Sequence, residues 1–335
     1  MLKITLAVPA YNRAKETAFL LQSILNADSF PDSVLICEDA SPERADIRAT
    51  VESFHPRFAT AGIQLDYHEN ELNLGYDKNL KNLIRRSSGD WVLMMGNDDC
   101  LLKPGVAPLR EFLRQQNRIH FISCAYEQFE GVDGRTLHVT QYYPEDTVEK
   151  RNAGSVFKLA SFISGVCVHR QWALEKETDV FDGGLFYQIY LSASAFAKDG
   201  IGYVATPMVG GRRGGTPLFG SAASEKHVHT PGRIAAAGRA AMYASTLAIA
   251  AHVDNLYGTN IAPGIRQELD SKQIFHVYES FARRPRQEVK DLYVKMRELG
   301  LGKSVIHKTL FVAAYLGGPC APFLFMVARK IRDRG

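Results

Sequence analysis

The 335-residue sequence predicts an α/β protein: a mostly parallel sheet with crossover helices on its faces, followed by a helical C-terminal region. Three observations carry this expectation. Short apolar, β-branched runs alternate with helical periodicities over the first hundred residues. Polar residues gather where those runs end. Beyond Thr230-Pro231-Gly232 the pattern turns to helices alone.

The elements follow in order. Leu2-Lys3-Ile4-Thr5-Leu6-Ala7-Val8-Pro9 reads as a buried strand ending at a proline that cannot donate to a ladder. Residues 14–27 place Phe19, Leu20, Ile24 and Leu25 at helical spacing. Residues 33–37 form a second apolar run, stopped by Glu38-Asp39-Ala40-Ser41-Pro42. Residues 47–58 read as a helix, 63–67 as an alternating strand and 76–86 as a helix. A fourth strand, residues 90–95, runs into Gly96-Asn97-Asp98-Asp99. The middle predicts strands over 119–128 and 137–143 around a Gly131-Val132-Asp133-Gly134 turn. A helix over 155–162 and a strand over 163–170 follow. Residues 185–198 are apolar almost all round, which predicts a buried helix, and 201–209 make the last strand. Residues 210–217, rich in glycine with Arg212 and Arg213, read as a mobile basic loop. Helices over 234–257, 265–283 and 288–299 precede an apolar tail over 309–332. The chain divides on this reading into residues 1–230 and 231–335.

Composition narrows the classes. At 46% hydrophobic and 23% charged the chain is not disordered. Lys and Arg total 40 against 36 Asp and Glu, and this mild excess, with no aromatic-basic string, predicts no nucleic-acid partner. Cys37, Cys100, Cys124, Cys167 and Cys320 are scattered and odd in number, which fits a reducing compartment without disulfides or zinc. The opening apolar run is too short for a signal peptide. The chemistry is therefore expected in the cytoplasm or on its membrane face.

Ligands of open, mostly parallel sheets bind beyond the carboxyl ends of the strands. Here those ends carry Tyr11-Asn12-Arg13, Glu38-Asp39 and Asn97-Asp98-Asp99. Adjacent carboxylates repel and call for a cation. Oxygen ligands at a strand end suit Mg²⁺ or Mn²⁺, which accept a few carboxylates plus substrate phosphates. A solvated turn is the plain alternative for an isolated Asp-Asp pair.

Over about its first 210 residues the sequence resembles family 2 glycosyltransferases of the Rossmann-like GT-A fold. The matching pieces are residues 4–13, residues 35–41 with the acidic pair before Ala40-Ser41, and residues 89–99 with a strand-borne DXD-type motif. Asn73-Leu74-Gly75-Tyr76-Asp77-Lys78-Asn79 and Ile163-Ser164-Gly165 look like the O-antigen transferases that include abequosyltransferases. The resemblance implies a nucleotide-sugar donor, with Pro9, Tyr11 and Asp39 around the base and Asn12 and Arg13 assisting. It places Asp98 on the ribose and Asp99 on the metal. Asn97 stands where an aspartate is more usual, and Glu38 replaces an aspartate on the same wall.

The family's catalytic base is not matched. Its expected place falls on Gln188 and Ile189, so the nearest carboxylates, Asp179 and Asp182, become candidates, with Asp182 favoured beside two glycines. Arg212, with Arg213, suits a diphosphate through its fixed donor fork. His227 and His229 are candidates for a further metal ligand. The tail has two apolar halves, each too short to span a bilayer, broken at Gly317-Gly318-Pro319 and flanked by Lys, His and Arg. It reads either as a hairpin lying on an anionic leaflet or as a helix pair packed on the body. The expected activity is metal-dependent, inverting transfer of a sugar to a lipid-linked surface glycan at the inner face of a bacterial membrane. A non-catalytic sugar-binding protein, or transfer to teichoic acid or protein, are the alternatives.

Overall fold

The computed structural model describes residues 2–116, 118–130 and 135–332; the turn predicted at 131–134 and the basic Arg334 lie outside them. Strands β1 (Ile4–Ala10), β2 (Ser33–Glu38), β3 (Gln64–Glu69) and β4 (Trp91–Met94) form where the apolar runs predict them. Helices α1 (Ala14–Leu25), α2 (Arg44–Thr60) and α3 (Tyr76–Arg86) cross between them. The sheet continues through β5 (Cys100–Leu101), β6 (Phe121–Glu130), β7 (Arg135–Thr140), β8 (Thr147–Glu149), β9 (Val166–His169) and β10 (Ile201–Arg212).

The strand order is β3-β2-β1-β4-β9-β6-β10-β5, with β7 on β6 and β8 on β10. β1 pairs in parallel with β2 and β4, β2 with β3, and β6 with β10. β9 runs antiparallel between β4 and β6, so the strands on either side of it point the same way, and β5, β7 and β8 also pair antiparallel. The carboxyl ends of β1, β2 and β4 therefore open on one edge.

Short helices α4 (Ala107–Gln115), α5 (Ser155–Lys158) and α6 (Arg170–Glu175) fill the faces. At nine and six residues, α4 and α6 are too brief for their periodicity to stand out in the sequence. α7 (Tyr187–Phe196) is buried on all sides, as its composition predicts. Beyond β10 come α8 (Ala236–Tyr257), α9 (Ala262–Glu268), a π-helical turn (Leu269–Gln273), α10 (Ile274–Phe281) and α11 (Arg286–Glu298). One apolar cluster joins Leu35, Met94 and Phe121 of the sheet to Tyr243, Tyr278 and Leu292 of these helices.

Residues 210–212 correct the expectation of a mobile loop. β10 stays paired with β6 as far as Arg212, opposite Phe129. Gly210 serves close packing: a Cβ there would lie 2.5 Å from Cys100 Sγ.

The tail forms α12 (Val305–Leu316), a 3-10 turn (Gly318–Cys320) and α13 (Ala321–Arg332). The two helices meet at 119°, and among the described residues no single helix is long and apolar enough to cross a membrane. One face packs on the body: Phe311 stacks on Tyr293 at 4.1 Å, and Phe325 lies 5.6 Å from Phe275. Buried His307 anchors the base, with Nδ1 2.6 Å from Asp270 Oδ1 and Nε2 3.0 Å from the Tyr278 hydroxyl. The other face leaves Val312, Leu316, Phe323 and Leu324 exposed.

Candidate donor site

A cavity of about 260 Å³ opens at the carboxyl ends of β1, β2 and β4. Of the residues predicted for the site, Pro9, Tyr11, Arg13, Asp39, Asn97 and Asp98 line it. Asn12, Asp99, Arg212 and Asp182 do not. The opposite wall comes from the segment after β10, through Pro217, Leu218, Phe219 and Glu225.

The strand ends hold unusual backbone. Asn12, Arg13 and Ala40 all have left-handed φ, at 55°, 68° and 55°. Such conformations cost non-glycine residues energy and persist only where the surroundings enforce them. Asn97 supplies part of that enforcement, donating from Nδ2 to Asn12 O at 2.8 Å and to Thr17 Oγ1 at 3.3 Å. An amide can donate in this way and a carboxylate cannot, which accounts for Asn97 at this position. Asn12 acts through its backbone and through Oδ1, which accepts the Glu43 N–H at 3.2 Å. Glu38 turns back on its own loop, accepting the Ala40 and Ser41 N–H groups and the Arg44 guanidinium.

Asp39 is buried and takes N–H donors from Leu74 and Gly75 and the Asn70 amide, at 2.8–3.0 Å. Burial raises its pKa, and these donors oppose the rise. Gly75 enters α3 at φ 85°, and a Cβ there would sit 2.7 Å from Glu225 Oε1. Glu225 itself is buried, accepting the Tyr76 N–H at 2.6 Å and the Gly220 N–H at 2.7 Å. It closes the far wall onto α3.

The aspartate pair divides its work. Asp98 faces the cavity and pairs with Arg13 at 2.8 Å, while Arg13 also donates to Thr216 O at 2.6 Å. Asp99 is buried behind it, accepting the Arg212 N–H at 2.8 Å and a short hydrogen bond from Ser164. Burial, then repulsion from Asp98, push the Asp99 pKa up to about 7. Arg212 lies between the rings of Phe19 and Phe129 and donates from Nε to Asp98 O at 2.8 Å. Its guanidinium braces the loop that carries both aspartates.

Asp182 lies beyond the far wall. Lys81, itself buried, pairs with Asp179 and with Asp182 Oδ1 at 2.7 Å. Asp182 Oδ2 is buried without a hydrogen bond. Asp77 accepts the N–H groups of Gly183, Leu185 and Tyr187 at 2.9–3.0 Å, which fixes the chain from Asp182 into α7. His227 is exposed, and His229 Nε2 lies 3.2 Å from Gly183 O.

The sequence reading missed Glu225, Asn70, Lys81 and the supporting roles of Asp77 and Ser164. The last two fall inside stretches that carried the family resemblance. Glu225 has no local signal, because its partner Tyr76 is 149 residues away.

Among the described residues no group of three His, Cys, Asp or Glu is arranged to hold a metal. A cation here would take one or two aspartates and complete its shell with substrate phosphate and water, as Mg²⁺ does. The lining supports that fit. Three carboxylates, of Asp39, Asp98 and Glu225, and one guanidinium, of Arg13, line the cavity, so a phosphate-bearing ligand would meet a surplus of negative charge.

Comparison with known proteins gives this arrangement a family. The description "Glycosyl transferase family 2" matches residues 5–175, just over half of the chain. The abequosyltransferase RfbV of Salmonella typhimurium is 24% identical over 220 residues, which is 62% of this chain and 65% of that protein. An uncharacterized glycosyltransferase of Haemophilus influenzae is 29% identical over 119 residues, or 36% of this chain and 37% of that one. The aligned stretches thus span less than two thirds of either relative. The crystal structure of S. aureus TarS 1-349 has a similar fold, with a TM-score of 0.57 at 14% identity, covering 94% of this chain and 90% of that one. The same protein in complex with UDP-GlcNAc gives 0.56. The strand-end pocket, its paired aspartates and these matches agree: the chain belongs to glycosyl transferase family 2 and has the GT-A fold.

Proposed function

We propose that the enzyme moves a sugar from a nucleotide donor onto a lipid-linked bacterial surface glycan, with a divalent cation and with inversion. The observation that carries this reading is the pocket, in which Tyr11, Asp39 and Asp98 from three strand ends meet one closing wall. Tyr11 stacks on the base, Asp39 offers its remaining acceptor capacity to the base edge, and Arg13 with Asp98 meets the ribose and diphosphate. Asp98, backed by Asp99, would hold Mg²⁺ or Mn²⁺, which supplies charge neutralisation for a leaving diphosphate. Arg212 acts through the loop it braces.

Asp182 is the proton acceptor we assign. Its Oδ2 is the buried carboxylate oxygen left without a hydrogen bond among the described residues. Gly183 packs against Ser224, the neighbour of pocket-lining Glu225, so Asp182 lies just behind the far wall, with Lys78 Nζ 4.0 Å from its Oδ2, and must be uncovered for an acceptor hydroxyl to reach it. Pairing with Lys81 favours the competing reading of a non-catalytic sugar-binding protein, and turnover separates the two. The exposed apolar face of the α12–α13 hairpin supports contact with the cytoplasmic leaflet, where a lipid-linked acceptor resides.

The test is a donor screen read by nucleoside-diphosphate release, with a UDP-sugar and a CDP-deoxysugar among the donors, with and without a chelator. Release that requires both acceptor and cation supports the proposal. Tight donor binding without turnover would select the binding protein.

A further inference from the structure

The segment after β10 has two sides. Gly215 lies against the donor pocket, where a Cβ would be 3.1 Å from Asp98 Oδ2. Two residues earlier, Arg213 lines an open groove of about 910 Å³ with Arg283, Phe323 and Met326. A second recess of about 600 Å³ shares Arg283 and Phe323, and runs past Arg286 to Pro319 at the bend of the hairpin. The two form one trough, from the rim of the donor pocket to the α12–α13 turn.

Its chemistry has two parts. Arg213, Arg283 and Arg286 are exposed, and none has a carboxylate partner among the described residues. Glu279, the acid on the wall, lies 3.8 Å from His276. Beside the arginines, Phe323 and Met326 expose 61% and 45% of their surface. Guanidinium groups match phosphate oxygens through a planar fork of donors. Apolar side chains next to them suit hydrocarbon rather than a second hydrated ion.

We infer that this trough seats the phosphate-bearing headgroup of a lipid-linked acceptor. Arg213, Arg283 and Arg286 take the phosphate oxygens, and Phe323 and Met326 take the first stretch of the lipid chain. The inference rests on the lipid-linked acceptor proposed above and adds a direction. The glycan leaves the phosphate along the Arg213–Gly215 segment and reaches the donor beside Asp98.

The experiment uses the full-length protein and neutral phosphatidylcholine vesicles. One set carries a minor fraction of a polyprenyl phosphate, and the other carries phosphatidylglycerol at matched surface charge. Cosedimentation is expected to be stronger with the polyprenyl phosphate by about tenfold in affinity. The Arg283→Gln/Arg286→Gln double variant is expected to lose that preference. Both residues are exposed, so its melting temperature and its nucleoside-diphosphate binding by calorimetry should stay at wild-type values. Equal binding to the two vesicle sets, or an unchanged preference in the variant, would overturn the inference. Loss of nucleotide binding in the wild type, with the lipid preference intact, would instead overturn the donor reading and leave the lipid seat standing.

Discussion

Glu225 Oε1 accepts the Tyr76 backbone N–H at 2.6 Å, while its Oε2 accepts that of Gly220 at 2.7 Å. One buried carboxylate thus ties the segment after β10 to the first turn of α3 and completes the pocket wall. Glu225→Ala strands two buried donors, each at a cost of about 1–3 kcal/mol. Donor affinity should fall by roughly tenfold or more. Calorimetric donor titration together with a thermal melt checks this, and a variant with full affinity would show that the wall closes without Glu225.

Asp98 and Asp99 should separate on mutation. Asp98→Ala removes a cavity-facing carboxylate and a partly exposed ion pair, so its melting temperature should change little while cation-dependent donor binding is lost. Asp99→Ala also strands the Arg212 N–H and the Ser164 hydroxyl, and should lower both transfer and stability, the latter by about 1–3 kcal/mol. Donor titrations at several Mn²⁺ concentrations distinguish the two. Cation-dependent binding that survives Asp98→Ala would remove that residue from the cation site.

Asp182→Asn keeps the shape of the side chain but removes a proton acceptor. Turnover should fall roughly a hundredfold or more, with donor affinity retained. Lys81→Met is the companion change. It leaves Asp182 without its buried partner and should cost about 3–5 kcal/mol of stability. Near-normal turnover in Asp182→Asn would exclude Asp182 as the base.

Asp77 gives the fold a pH signature. Burial pushes its pKa up to about 7, despite N–H donors from α7 and the chain before it. Between its ordinary value of 3.8 and about 7 the folded chain holds a proton that the unfolded chain releases. The contribution of this group to stability is therefore full below about pH 4 and falls as pH rises through 7. Denaturant titrations at pH 5.5 and 8 should show lower stability at pH 8, with a shallower slope in Asp77→Asn. Identical slopes in the two proteins would assign the pH dependence to other groups.

The parts of the site that lie on strand ends were readable because strand periodicity and ligand chemistry meet there. Tyr11, Asp39 and Asp98 follow directly from apolar runs that stop. Arg212 was recognised as an arginine suited to phosphate, yet its guanidinium settles between Phe19 and Phe129 once β10 extends to pair with Phe129. Residue type alone does not say which neighbour a long side chain finds. Asp182 was placed near the site by chain order, but its buried partner Lys81 lies 101 residues earlier, and that pairing is decided only by packing α3 against the chain before α7. Glu225 was invisible for the same reason.

The closing wall has an evolutionary consequence. Pro217, Leu218, Phe219 and Glu225 all follow the family-matched stretch, which ends at residue 175. The half of the pocket built from strand ends lies within that stretch. The half that faces it is a separate strap, held to the sheet domain chiefly through Arg13 to Thr216 O and Glu225 to Tyr76 N. A lineage can therefore rewrite that strap, residue by residue or by wholesale exchange, while the strand ends stay intact. On the proposed reading, substrate choice and the chemistry it serves would then be separable in the chain.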